Sequence, residues 1–121
     1  MFANCSYLTA APDLNFGVTY TQTFDMMFAN CTSLRTPPKL NITSVDWMGC
    51  RSMFSGCTSL TAVPELPSST WTYSFESMFA GCTALTDVPS SVFTIYVKGK
   101  GAYYKLFNNC SSLSSVSVPF T

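Results

Sequence analysis

Six cysteines, at positions 5, 31, 50, 57, 82 and 110, are the residues of this chain best suited to do chemistry. A thiolate can act as a nucleophile, bind a metal or form a disulfide. No pair of them has the CxxC spacing of zinc ribbons and redox motifs. The chain contains no His, which removes Ser-His-Asp triads, His-ligated metals and imidazole acid–base chemistry. The carboxylates Asp13, Asp25, Asp46, Glu65, Glu76 and Asp87 are scattered, with no EF-hand pattern and no set catalytic pair. The Lys-Gly segment 97–102 lacks the GxxxxGK[ST] spacing of a phosphate-binding loop and reads as a protruding loop between repeats. No cofactor or metal is therefore expected. An enzyme is the remote reading, with Cys50 or a carboxylate pair as its best candidates.

Five of the six cysteines follow one another at intervals of 26, 26, 25 and 28 residues. The surrounding sequence repeats as MFANCSYL from Met1, MFANCTSL from Met27, MFSGCTSL from Met53, MFAGCTAL from Met78 and LFNNCSSL from Leu106. A Pro follows each of the first four cysteines by seven residues. Such a period marks an array of stacked units, none of which can bury its apolar face alone. Upstream of each Cys, apolar residues fall at intervals of three and four, as in Tyr20, Phe24, Met27, Phe28 and Cys31. That spacing predicts an amphipathic helix, ended by Asn4, Asn30, Gly56, Gly81 or Asn109, residue types that tolerate positive φ. Downstream, Pro-containing segments such as 60–67 suit a brief strand and a turn.

The repeat resembles the BspA-like, treponemal-type leucine-rich repeats of bacterial surface proteins, and the likeness covers essentially the whole chain. It implies an α/β fold: a right-handed leucine-rich-repeat solenoid of about five repeats of 25–28 residues. Short parallel strands would line one face and helices the other, and stacked strands predict one sheet about 25 Å long. It also implies a role in adhesion or binding at the cell surface or outside the cell.

The ladder Cys5, Cys31, Cys57, Cys82 and Cys110 could hold disulfides, or could be reduced thiols packed at a tight turn; the regular Phe and Leu around it favour the second. Cys50 stands where other units carry Phe24, Phe75 and Tyr103, so a core role is expected. Tyr20, Trp47, Trp71 and Tyr96 could form a stacking platform, but starting the core stripe is the favoured reading. Tyr104 is expected to be partly exposed. The row Asp13, Lys39, Glu65 and Ser90 should face solvent with alternating charge along it.

A second row, Thr9, Arg35, Thr61, Thr86 and Ser114, joins Thr36, Asp87 and Ser115 in a hydroxyl-rich strip. It is the best candidate for a contact surface, since repeat modules bind across extended faces. A soluble Thr- and Ser-rich face would look the same. The partner would be a protein or a glycan. Six basic and six acidic residues leave no net charge to attract nucleic acid. No apolar run approaches the roughly 20 residues of a membrane span, so no membrane insertion is expected. Met1 falls inside the repeat motif and no polar capping unit is evident. Residues 1–121 thus read as one repeat domain, either a piece of a longer protein or one whose ends pack on a partner. Stacking through uncapped ends, as a homo-oligomer or as a component of a cell surface or phage particle, is the structural alternative to ligand binding.

Overall fold

The computed structural model describes residues 2–18, 22–69, 71–93 and 100–116. Among them there is no α-helix; the one helical element is a single 3-10 turn, Ser90–Phe93. Strands β1 (Leu14–Val18) and β2 (Leu40–Ser44) form one parallel pair, β3 (Asp87–Val88) and β4 (Ser115–Val116) another. The expectation of an α/β leucine-rich-repeat solenoid, with a helical layer and one continuous sheet, is therefore overturned.

What replaces the helices is a run of four-residue turns. Between Gln22 and Cys31, backbone N–H groups alternate between two kinds of partner. Asp25, Met27, Ala29 and Cys31 donate to the carbonyl three residues back. Gln22, Phe24, Met26, Phe28 and Asn30 donate to Trp47, Gly49, Arg51, Met53 and Ser55 of the next repeat. A helix would send every N–H along its own axis to residue i−4. Here half of them leave the segment, so each repeat is tied sideways to its neighbour.

The backbone conformation follows from that alternation. Left-handed φ recurs every fourth residue, at Gln22, Met26 and Asn30, then at Met48, Ser52 and Gly56, and again at Tyr73, Ser77 and Gly81. The Asn or Gly before each repeat Cys, expected to end a helix, is instead the third residue of a turn. Phe-x-[Asn/Gly]-Cys closes with the Cys N–H donating to the Phe carbonyl at 3.1–3.2 Å in all five copies. Positive φ at the third position is the type II signature, which favours Gly and Asn there. Gly56 is further confined: an added Cβ would run into the Asn30 side chain.

The true apolar period is four, carried by pairs such as Phe24/Phe28, Cys50/Phe54 and Phe75/Phe79, all buried. Successive repeats superpose these residues. The rings of Phe2, Phe28, Phe54, Phe79 and Phe107 form a continuous stack with centroid separations of 5.3, 5.3, 5.5 and 5.7 Å. Leu34, Leu60 and Leu85 lie beside them, fully buried. Burial of each such side chain is worth about 1.5–3 kcal/mol, and this apolar column holds the turns in register.

Trp47 and Trp71 were expected to start the core stripe, yet they are 37% and 51% exposed. Val45 fills the interior beside Trp47. At Trp71 the buried hydroxyls of Ser69 and Ser74 hold the backbone, Ser69 Oγ accepting the Trp71 N–H and Ser74 Oγ donating to its carbonyl, which leaves the ring outside. Tyr20 and Tyr96 lie outside the described residues, as do 97–99 of the expected loop. Its remainder is not a protrusion: Lys100 and Ala102 carbonyls accept the N–H groups of Tyr73 and Phe75, and Ala102 is buried.

Candidate functional site

The strip chosen from the sequence lies on exposed backbone, with lateral hydrogen bonds fixing its spacing. The Thr9 carbonyl accepts the Arg35 N–H at 3.2 Å, and the Arg35 carbonyl accepts both the N–H and Oγ1 of Thr61, at 3.2 and 3.3 Å. In the later repeats the Thr86 carbonyl accepts the N–H and Oγ of Ser114, at 3.1 and 3.2 Å. Thr36 pairs with Ala10 across a parallel bridge, and Asp87 with Ser115 in the β3–β4 register. The structure thus brings Thr9, Arg35 and Thr61 into one row and Thr86 and Ser114 into another. Arg35, Thr36, Thr86 and Asp87 side chains all face solvent. Two of the hydroxyls serve the backbone, so they stiffen the strip as well as decorate it.

The chain continues from Arg35 and Thr36 into a groove of about 400 Å³ whose apolar floor comes from Pro37, Pro38, Leu40 and Pro64. Lys39, Asn41 and Glu65 supply its polar rim. In the adjacent row Asp13 does face solvent beside Lys39, and its Oδ1 accepts the Lys39 backbone N–H at 3.0 Å. Next to it, the Asn41 amide donates to Asn15 Oδ1 at 2.8 Å. These bonds order the rim of the groove without filling it.

The cysteine ladder has a structural role that spacing did not disclose. Cys31, Cys57, Cys82 and Cys110 each donate their thiol to the Phe carbonyl of the preceding repeat, at 3.0, 3.1, 3.3 and 3.1 Å. The same carbonyl accepts its own repeat's Cys N–H, so one oxygen links two repeats. All six cysteines are free thiols. Cys31, Cys50, Cys57 and Cys82 are buried, Cys110 is half-buried, and Cys5 is exposed rather than packed. Burial pushes the Cys57 thiol up to about 12 and raises those of Cys50 and Cys82 as well. A neutral buried thiol keeps its proton for a weak hydrogen bond and attacks poorly.

Sequence reasoning missed one charged row. Arg51 donates through Nε and Nη2 to the two carboxylate oxygens of Asp25, at 3.1 and 2.8 Å, and Glu76 lies near enough to hold the guanidinium charged too. The signal was available: Asp25, Arg51 and Glu76 recur at the same 26- and 25-residue steps as the cysteines. Among the described residues no three His, Cys, Asp or Glu side chains are placed to hold a metal ion. No described helix is long and apolar enough to cross a membrane.

Comparison with protein-family models, with curated proteins and with solved structures gives no match to this chain.

Proposed function

We propose that this chain is a non-catalytic binding module that grips a protein or glycan partner at a bacterial cell surface. The contact surface is the exposed strip of Thr9, Arg35, Thr36, Thr61, Thr86, Asp87 and Ser114. The observation that carries the reading is the backbone bonding of Thr9, Arg35 and Thr61 at one fixed lateral step, with Arg35 and two threonines facing solvent. A rigid row of donors costs little ordering entropy on binding. The Pro-lined groove that follows Thr36 offers an apolar subsite beside that row. The resemblance to adhesive repeat proteins of bacterial surfaces points the same way.

The test is a binding screen of the whole chain against a glycan array and a panel of purified surface and matrix proteins, repeated with Arg35→Glu/Thr61→Glu. Both side chains are exposed, so the melting temperature should shift by less than about 2 °C, the effect of an ordinary surface change. Binding should fall at least tenfold. Unchanged binding by a folded double variant would place the contact elsewhere.

A further inference from the structure

The two tryptophans of this chain stand in register. Trp47 lies three residues after Ser44 and three before Cys50, and Trp71 lies three after Ser68 and three before Ser74. Ser44 and Ser68 form a parallel bridge, and the Cys50 N–H donates to the Ser74 carbonyl at 2.9 Å. The two segments are thus held one lateral step apart at both ends, about 4.8 Å between backbones, and the tryptophans are neighbours across it. Both rings are exposed, and so is Tyr73, two residues beyond Trp71. Each ring is held from beneath. The buried Ser69 and Ser74 hydroxyls bond the Trp71 backbone, and Ser69 Oγ also donates to the Val45 carbonyl. Trp47 sits in a turn that the Gly49 N–H closes on the Asp46 carbonyl, with Gly49 tight against the Val45 side chain. The Tyr73 ring lies over Gly101 and meets the Tyr104 ring edge-on at 6.1 Å.

We propose that Trp47, Trp71 and Tyr73 form a second contact site, sharing no residue with the Thr9–Arg35–Thr61 row, that takes a neutral glycan. The surface is a set of apolar faces edged by donors. Neither indole stacks on another ring, and neither indole Nε1–H nor the Tyr73 hydroxyl has a hydrogen-bond partner among the described residues. A pyranose is the complement: its C–H face meets the negative face of an aromatic ring, and its hydroxyls accept the free N–H groups. The flanking charges balance, since the Asp46 carboxylate accepts the Trp47 N–H and Lys100 is bonded through its carbonyl to Tyr73. Bases of a nucleic acid also stack on aromatic rings, but their phosphates need a cationic groove, which Asp46 opposes. A protein hot spot needs its rings sealed from water by close-packed neighbours. Here Asp46, Thr72 and Lys100 are polar and reach solvent.

The site contains both tryptophans of the chain, so intrinsic fluorescence reads it directly. Titration with cellohexaose, chitohexaose, mannohexaose and xylohexaose should give a saturable blue shift with at least one of them. Trp71→Ala should weaken that binding roughly tenfold, the loss of one stacked ring, while Trp71→Phe keeps most of it. If Trp71→Ala does not fold, Trp71→Gln removes the ring from the same exposed position. Arg35→Glu/Thr61→Glu should leave this binding unchanged, which separates the two sites. Emission unmoved by all of the sugars overturns the proposal. So does calorimetric affinity for the sugar that survives intact in a folded Trp47→Ala/Trp71→Ala variant. A protein ligand that shifts the emission where no sugar does would overturn it too, and would give the rings to a protein partner.

Discussion

Replacing Ser77 by Gly should stabilise this protein, which is the opposite of what a helix would do. Ser77 has φ 52° and is the third residue of the turn that the Met78 N–H closes on the Phe75 carbonyl. Its own N–H reaches sideways to the Tyr104 carbonyl at 2.9 Å, which keeps the residue left-handed. A left-handed conformation costs an L-residue roughly 1–2 kcal/mol. Glycine avoids that cost but loses roughly 0.5–1 kcal/mol more backbone entropy on folding. The difference favours Ser77→Gly by about 0.5–1 kcal/mol. For a domain of this size that is a rise of about 2–5 °C in Tm. Ser77→Val should fall in stability instead, because a β-branched residue fits positive φ worst. Thermal and urea unfolding followed by circular dichroism would measure both, with the urea m-value unchanged in the glycine variant. In a helix interior, the same glycine would cost roughly 0.5 kcal/mol. A lower midpoint for Ser77→Gly would refute the turn geometry and restore the helical reading of 71–81.

Two further outcomes follow from the core. The buried thiols of Cys50, Cys57 and Cys82 have their pKa raised by burial from 9.0, so above about pH 9 the unfolded chain has released protons that the folded chain keeps. Stability is thus fully present below that pH and falls as pH rises, by about 1.4 kcal/mol per pH unit for each such thiol. Urea titrations between pH 8 and 11 should show this slope, and Cys50→Ala should reduce it by one proton's worth; a slope unaffected by that change would mean Cys50 is not shielded. Phe54 stacks on both Phe28 and Phe79, so Phe54→Leu should lose about 1–3 kcal/mol for two ring pairs. Phe2→Leu loses only one pair on a partly buried ring and should cost less; a loss at Phe54 no larger than at Phe2 would refute the stacking contribution.

The period was legible in the sequence, and so were the burial of Phe28, Leu34, Cys31 and Cys50 and the positive φ before each repeat Cys. The helix was misread for a specific reason. In a window of about eleven residues, a period of 3.6 and a period of four place apolar residues at nearly the same positions. Phe-x-Asn-Cys and Phe-x-Gly-Cys carry the turn signature, yet Gly and Asn also end helices, so composition alone does not separate the two. What separates them is the destination of the N–H groups of Phe24, Met26 and Phe28, and that depends on the neighbouring repeat. The Thr- and Ser-rich strip could be read from the sequence because a fixed step makes rows of equivalent residues, which the structure splits into Thr9–Arg35–Thr61 and Thr86–Ser114. The Asp25–Arg51 pair follows the same step but sits among residues read as a helix surface. The thiol-to-carbonyl bonds were hidden because nothing in the spacing says which way a cysteine side chain turns.

Bonds between repeats join residues 23 to 31 positions apart, so a pair of repeats must close a loop of about that length before gaining any lateral contact. That step carries the entropic cost, and each later repeat then adds to a template already made. Near-identical repeats also create a hazard, because a late-arriving repeat can settle on the wrong neighbour and leave one looped out. The irregular residues serve as addresses against that error. Arg51 matches only a repeat carrying Asp25, Cys50 sets a small side chain where others place a ring, and Ser69 bonds the Val45 carbonyl. What reads as imperfection in the repeat is what tells each unit where in the order it belongs.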